Sequence, residues 1–302
     1  MVNMEGLVNL QGQLFLLMFL GLFFKRRNIL GEKFQNGLTD LVIDLLLPCS
    51  IILSFQVEFN QKILRQTAEV LLISLAIQVG CWVLSMVLFR RCKEDKKPVL
   101  QYGAMCSNAG FLGTPVAEGI FGSQGVLLAA IYLIPQRVIM WSLGLSFFTK
   151  TDKRALWKKV LLHPCIDAVI IGGVLMLTQL QLPTMLNNTI RALSNCNTGM
   201  SMFLIGMIMG NMHWRDFLDG LAIYYTAVRL ILIPFLVLVG CRMMQAETLA
   251  TNLSVVLAAM PCAGTAAILA SKYHCNAELA ARCVTVSTLL SLVAIPMWCL
   301  VL

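Results

Sequence analysis

Two stretches of this chain set glycine and proline beside hydrogen-bonding side chains in otherwise apolar surroundings. They are Ser107-Asn108-Ala109-Gly110-Phe111-Leu112-Gly113-Thr114-Pro115 and Ala259-Met260-Pro261-Cys262-Ala263-Gly264-Thr265. Proline has no N–H to donate and glycine loses the most backbone freedom on ordering, so both interrupt a helix. An interrupted helix presents free amide N–H groups at the start of its second half, where the helix dipole is positive. Such an end attracts a carboxylate or another anion. Asn108 adds a carboxamide that can both donate and accept. The candidate ligand contacts are therefore Asn108, Gly110, Gly113, Thr114 and Pro115 on the first stretch, and Pro261, Gly264 and Thr265 on the second. The plain alternative is two kinked helices whose glycines serve close packing.

Arg137 and Arg229 also lie inside apolar runs. A cation at bilayer depth costs ~2.5 to 3.5 kcal/mol on lenient insertion scales, so each needs compensation. An anionic substrate or a coupling role suits Arg137, two residues after Pro135; for Arg229 an acidic partner or the carbonyls of a broken helix serve equally well. Asp44 and Asp167 read as structural polar contacts, with proton coupling as the sharper option. Glu118 is expected to be solvated, and His163, His213 and His274 to be interfacial. Met200, Met202, Met207, Met209 and Met212 read as adaptable packing, and Gly206-x-x-x-Gly210 as close helix packing. The patterns HExxH and GxSxG and the P-loop are absent, so no enzyme is expected. The 11 cysteines form no CxxC and no Cys/His spacing, so no metal site is expected. No cofactor is expected beyond a coupling Na+ or H+.

The elements that must position these residues follow from composition. Of 302 residues 58% are hydrophobic and 13% charged, and mean hydropathy is +0.80. Soluble domains carry roughly twice that charge, so the chain reads as all-α and polytopic in a membrane. Crossing ~30 Å of hydrocarbon takes about 20 apolar residues. Ten runs fit: 7–24, 36–55, 67–89, 98–121, 125–148, 160–177, 189–209, 218–240, 249–273 and 280–301. The first lacks a cleavage site after Lys25-Arg26-Arg27 and reads as a retained helix. The net charge of +8 falls in the gaps between runs, which excludes a nucleic-acid surface and reports topology instead. Lys25 to Lys33, Arg90 to Lys97, Lys150 to Lys159, Arg215, Lys272 and Arg282 share one side; Lys62, Arg65, Arg191 and Arg242 take the other. The first side is cytoplasmic by the positive-inside rule, which places both termini outside the cytoplasm.

The cytoplasmic loop at 149–159 divides the chain into residues 1–150 and 151–302, two five-helix repeats of necessarily opposite orientation. The interrupted stretches occupy the fourth and ninth runs, corresponding places in the two halves. Paired interruptions of this kind point to a transporter binding site near the midplane.

At these residues the sequence resembles the auxin efflux carrier family, in the bacterial branch of malonate or other carboxylate permeases, since the long hydrophilic loop of the plant exporters is missing. Asn108-x-Gly110-Phe111-x-Gly113-x-Pro115 corresponds to the family's fourth-helix signature. Met260-Pro261, Leu269-Ala270-x-x-Tyr273 and Val286-Ser287-Thr288-Leu289-Leu290-Ser291 match its C-terminal pattern, and Leu47-Pro48 fits the second span. Two places depart from it. Ser107 stands where relatives often carry Gly, and Asn197-Thr198-Gly199-Met200 where many have Pro followed by Leu, which bears on the bend of the seventh span.

The resemblance implies a fold similar to bile-acid sodium symporters and sodium/proton antiporters. Spans 1, 2, 6 and 7 would form a scaffold and spans 3–5 and 8–10 a mobile core, with broken helices 4 and 9 crossing at the substrate site. It implies a secondary transporter that moves a small organic anion, such as malonate or an auxin-like acid, across the plasma (inner) membrane by alternating access. A sodium-coupled symporter of bile-acid type and a passive anion channel are the other readings. The expected partners are the anion and the lipid bilayer, with a homodimer allowed and no nucleic acid.

Overall fold

A backbone surrounded by hydrocarbon has no water to bond, so an apolar chain must close its amide pairs within each segment. The computed structural model describes residues 4–56, 60–144, 146–148, 164–210, 219–273 and 275–302, and among these every regular element is helical. The basic loop at 149–159, Met212, Arg215 and the three histidines lie outside the described residues. Five described stretches are long and apolar enough to cross a membrane by length and composition: Glu32–Ser54, Gln61–Leu88, Ala109–Ile139, Gly220–Met243 and Ala277–Val301.

The helices are α1 (Met4–Arg26), α2 (Glu32–Leu41), α3 (Leu47–Ser54), α4 (Gln61–Leu88), α5 (Lys97–Met105), α6 (Thr114–Ile139), α7 (Pro164–Thr178) and α8 (Thr184–Met209). They continue with α9 (Gly220–Ala227), α10 (Ile233–Met243), α11 (Thr248–Ala258), α12 (Thr265–Lys272) and α13 (Ala277–Val301). Three wide π-turns, Val42–Leu46, Ala109–Gly113 and Val228–Leu232, each run straight into a helix whose second residue is proline: Pro48, Pro115 and Pro234. The cause is local. A proline ring clashes with the carbonyl four residues earlier and offers it no hydrogen; those carbonyls belong to Asp44, Phe111 and Leu230, all inside the π-turns. Widening the turn by one residue moves the carbonyl out of the way.

Gly122 has φ 65° and ψ −153°, outside any helix, and divides the stretch that contains α6 within the gap expected between runs 98–121 and 125–148. Only glycine takes this backbone without strain.

The chain forms two compact units. The first holds Met1–Thr67, Thr114–Ile131 and Leu161–Asn211. Here α1 and α8 meet backbone to backbone: a Cβ on Gly21 would overlap the Phe203 carbonyl, and one on Gly206 the Met18 carbonyl. Lipid tails are as apolar as leucine, so helix association rests on such close contact more than on hydrophobicity. Gly210 packs on the Lys25 side chain, and the Phe55 ring lies against Gly172. Ser50 and Ser194 share a hydrogen bond of 2.8 Å between α3 and α8. The helix α8 runs unbroken through Asn197-Thr198-Gly199-Met200, so the departure from the family pattern produces no break there. Glu118 is exposed and accepts from Thr198 at 3.3 Å. Asp44 and Asp167 are both exposed; Asp167 lies in the first turn of α7, where a carboxylate favours the helix dipole.

The second unit holds Ala68–Gly113, Tyr132–Val160 and Met212–Leu302. Tyr102, Tyr132 and Tyr225 are fully buried in it, and Ser74 donates to the Tyr132 carbonyl at 2.5 Å. At its edge Asn276 caps α13 and donates to Asp95 at 3.0 Å, which holds the Asp95 carboxyl below its usual range. Asp219 caps α9 and pairs with Arg282 at 3.0 Å; Arg282 also pairs with Glu278.

Candidate substrate site

Both interrupted stretches lie in the second unit, except that Thr114 and Pro115 open α6 in the first. After α5 the backbone of Cys106 turns extended, with φ −107° and ψ 100°. After α11 the chain from Ala259 to Gly264 is likewise not helical. The two segments pass each other as a short antiparallel pair in which Ser107 bridges Cys262. The Asn108 N–H donates to the Pro261 carbonyl at 2.7 Å, and the Ala263 N–H to the Cys106 carbonyl at 3.2 Å. Two backbones that would otherwise be orphaned in an apolar interior satisfy each other.

Side chains complete the pairing. Gln136 donates to the Ser107 carbonyl at 2.7 Å and accepts from the Ser107 hydroxyl at 3.0 Å. The Cys262 N–H donates to Ser287 Oγ at 3.0 Å. Thr265, the first residue of α12, shares a hydrogen bond of 2.9 Å with the Tyr102 hydroxyl. The Asn108 carbonyl accepts from the N–H groups of Leu112 and Gly113 at 3.0 and 3.2 Å, so the second half-helix starts at Asn108.

The two candidate glycines of the first stretch do different things. A Cβ on Gly113 would come within 2.9 Å of Leu257 and 3.0 Å of Met260, so this glycine lets the π-turn approach the end of α11. A Cβ on Gly110 would meet nothing within 4 Å, so this one leaves room. Asn108 is buried, and its carboxamide makes no hydrogen bond among the described residues.

The two arginines also differ. Arg229 is 2% exposed, and its Nε donates to the Met260 carbonyl and its Nη1 to the Ala104 carbonyl, both at 3.0 Å. Its compensation is the set of broken-helix carbonyls. Arg137 is 5% exposed, and its guanidinium makes no hydrogen bond or ion pair with any described residue; its Nη1 is fully enclosed without an acceptor. A buried cation without a partner is costly, and an anion is the group that would relieve it. Among the described residues no group of three or more His, Cys, Asp or Glu side chains is placed to hold a metal ion.

Residues 11–299 match the family model described as membrane transport protein. The chain belongs to this family, the auxin efflux carriers. An uncharacterized transporter of Methanothermobacter thermautotrophicus is 28% identical over 294 residues, covering 95% of each chain. The uncharacterized transporter YfdV of Escherichia coli K12 is 26% identical over 302 residues, covering 93% of each. An uncharacterized transporter of Methanocaldococcus jannaschii is 24% identical over 295 residues, covering 94% of each. The protein is thus a multi-pass membrane transporter.

Sequence reasoning named Asn108, Gly110, Gly113, Pro261, Gly264 and Thr265 around the paired segments of this transporter but missed Gln136 and Tyr102, and it met Ser287 only within the C-terminal motif, with no role at the site. A glutamine inside an apolar run is itself a signal, because its amide must find partners in lipid. Tyr102 carries no comparable mark.

Proposed function

We propose that this transporter is a secondary carrier of a small organic anion, a carboxylate of malonate size or an auxin-like acid, and that it works by alternating access across the plasma membrane. The observation that carries this reading is Arg137, a buried guanidinium with an enclosed, unaccepted N–H. Gln136, its neighbour in sequence, is bonded to Ser107, so the Arg137 backbone lies one residue from the pairing of the two breaks. A planar guanidinium fits a carboxylate through two parallel hydrogen bonds. Asn108, the room at Gly110 and the positive ends that begin after Asn108 and at Thr265 would supply further donors. Residues 1–150 and 151–302 would act as inverted repeats around this point, with both termini outside the cytoplasm.

The test is a binding screen of small carboxylates on purified protein, with and without sodium and across pH. Arg137→Ala is expected to abolish binding in protein matched for folded amount, and Arg137→Lys to keep part of it. Normal carboxylate affinity in a stable Arg137→Ala protein would sink the reading. Binding that requires sodium would favour the symporter, and flux that neither saturates nor responds to counter-substrate would favour a channel.

A further inference from the structure

Four helix ends meet where the two broken stretches cross, and their charges oppose one another. The second halves, starting after Asn108 and at Thr265, present positive N-termini; α5 and α11 end there with negative C-termini, each equivalent to roughly half a charge. Left alone, the four ends would nearly cancel, and the crossing would favour neither sign of ligand.

Arg229 breaks that balance. Its Nε and Nη1 take one carbonyl from just beyond the end of α11, Met260, and one from the last turn of α5, Ala104, at 3.0 Å each. One buried guanidinium therefore neutralises both negative ends and faces neither positive one through these bonds. Its position has a local cause. It sits in the π-turn Val228–Leu232 that Pro234 imposes, and the added residue sets the direction in which position 229 projects.

We infer that Arg229 is the charge-selectivity residue of this transporter: it makes the crossing electropositive by cancelling the carbonyl ends, without touching the transported anion. Its biological meaning rests on the anion-carrier reading, but the charge is measurable with no substrate. Lysine keeps the charge and loses the fork that reaches two carbonyls; glutamine keeps donors and loses the charge. A structural strap would be damaged by both, whereas a charge role separates them.

The probe is a thiol at Gly110, where a Cβ meets nothing within 4 Å. In Gly110→Cys protein, the rates of modification by an anionic sulfonatoethyl and a cationic trimethylammonioethyl thiosulfonate are compared, and protein without this substitution supplies the background of native thiols. The anionic reagent is expected to react faster. Adding Arg229→Gln should lower the anionic-to-cationic ratio by roughly tenfold or more, since a unit charge has been removed from a partly dry site. Adding Arg229→Lys should leave the ratio within a few-fold. If Arg229→Gln fails to fold, Arg229→Met, whose unbranched chain fills similar space, takes its place. The inference is overturned by an unmoved ratio in the uncharged variant, by a parent that favours the cationic reagent, or by a thiol neither reagent reaches. A carboxylate screen that finds no ligand while the ratio moves as stated would refute the anion-carrier reading and leave the charge role of Arg229 standing.

Discussion

The indole N–H of Trp298 donates to the carbonyl oxygen of Leu230 at 2.8 Å, and Leu230 is the residue whose carbonyl Pro234 deprives of a helical donor. A proline on α10 and a tryptophan near the end of α13 are thus one arrangement. Trp298→Phe keeps most of the apolar surface and orphans the carbonyl, which is expected to cost about 1 kcal/mol. Pro234→Ala returns an N–H to the helix, so Trp298→Phe should cost less in that background. Thermal unfolding of the four proteins of this cycle measures the coupling, and strict additivity would remove the link between the two residues.

Gln136 meets both polar groups of Ser107 that face it. Gln136→Leu would leave the Ser107 carbonyl and hydroxyl buried without these partners, a loss of about 2 to 4 kcal/mol. Adding Ser107→Ala removes one of the two orphans, so the double variant is expected to be more stable than Gln136→Leu alone. A double variant less stable than either single one would show that the contact is not organised as described.

The pairing of Asp219 with Arg282 is expected to show itself in pH dependence. Burial pushes the Asp219 carboxyl up, but Arg282 and the N–H groups of Leu221 and Ala222 pull harder the other way and leave it below its usual range. A folded-state value below the unfolded one, ~3.9, gives stability that is present above that pH and is lost as pH falls through the folded value. Asp219→Asn keeps a cap oxygen and loses the charge. It should destabilise by about 0.5 kcal/mol at neutral pH, and the gap from the parent should close in acid. A gap of the same size at both pH values would assign it to the cap instead.

Lys62 lies in the first turn of α4, and Lys96 lies beyond its far end. Single cysteines placed there are expected to react with a membrane-impermeant thiol reagent from opposite sides, Lys62→Cys from outside intact cells and Lys96→Cys after the cytoplasmic face is opened. Both reacting from one side would overturn the orientation read from the basic residues.

The sequence made the helical character and the two breaks legible, because Gly113, Pro115, Pro261 and Gly264 stand out in apolar runs. It also flagged Arg137 and Arg229 by their charge. What it hid was the partner. Arg229 bonds to the carbonyls of Ala104 and Met260, and a backbone carbonyl looks the same at every residue, so no side-chain pattern could name them. Gly206 was readable as a packing residue; its reciprocal, Gly21, was not, because which helix faces it depends on contacts far apart in sequence. The bond from Trp298 to Leu230, 68 residues apart, was hidden for the same reason.

The π-turn before Pro234 is also an indel in miniature. A helix advances about 100° per residue, so one residue more or less rotates everything on one side of it by nearly a third of a turn. Deleting a single residue between Val228 and Leu232, with α10 held in place, would swing Tyr225 and the start of α9 out of their buried phase and carry the guanidinium of Arg229 away from both carbonyls. Substitution can tune this segment side chain by side chain, but its length is fixed by its proline.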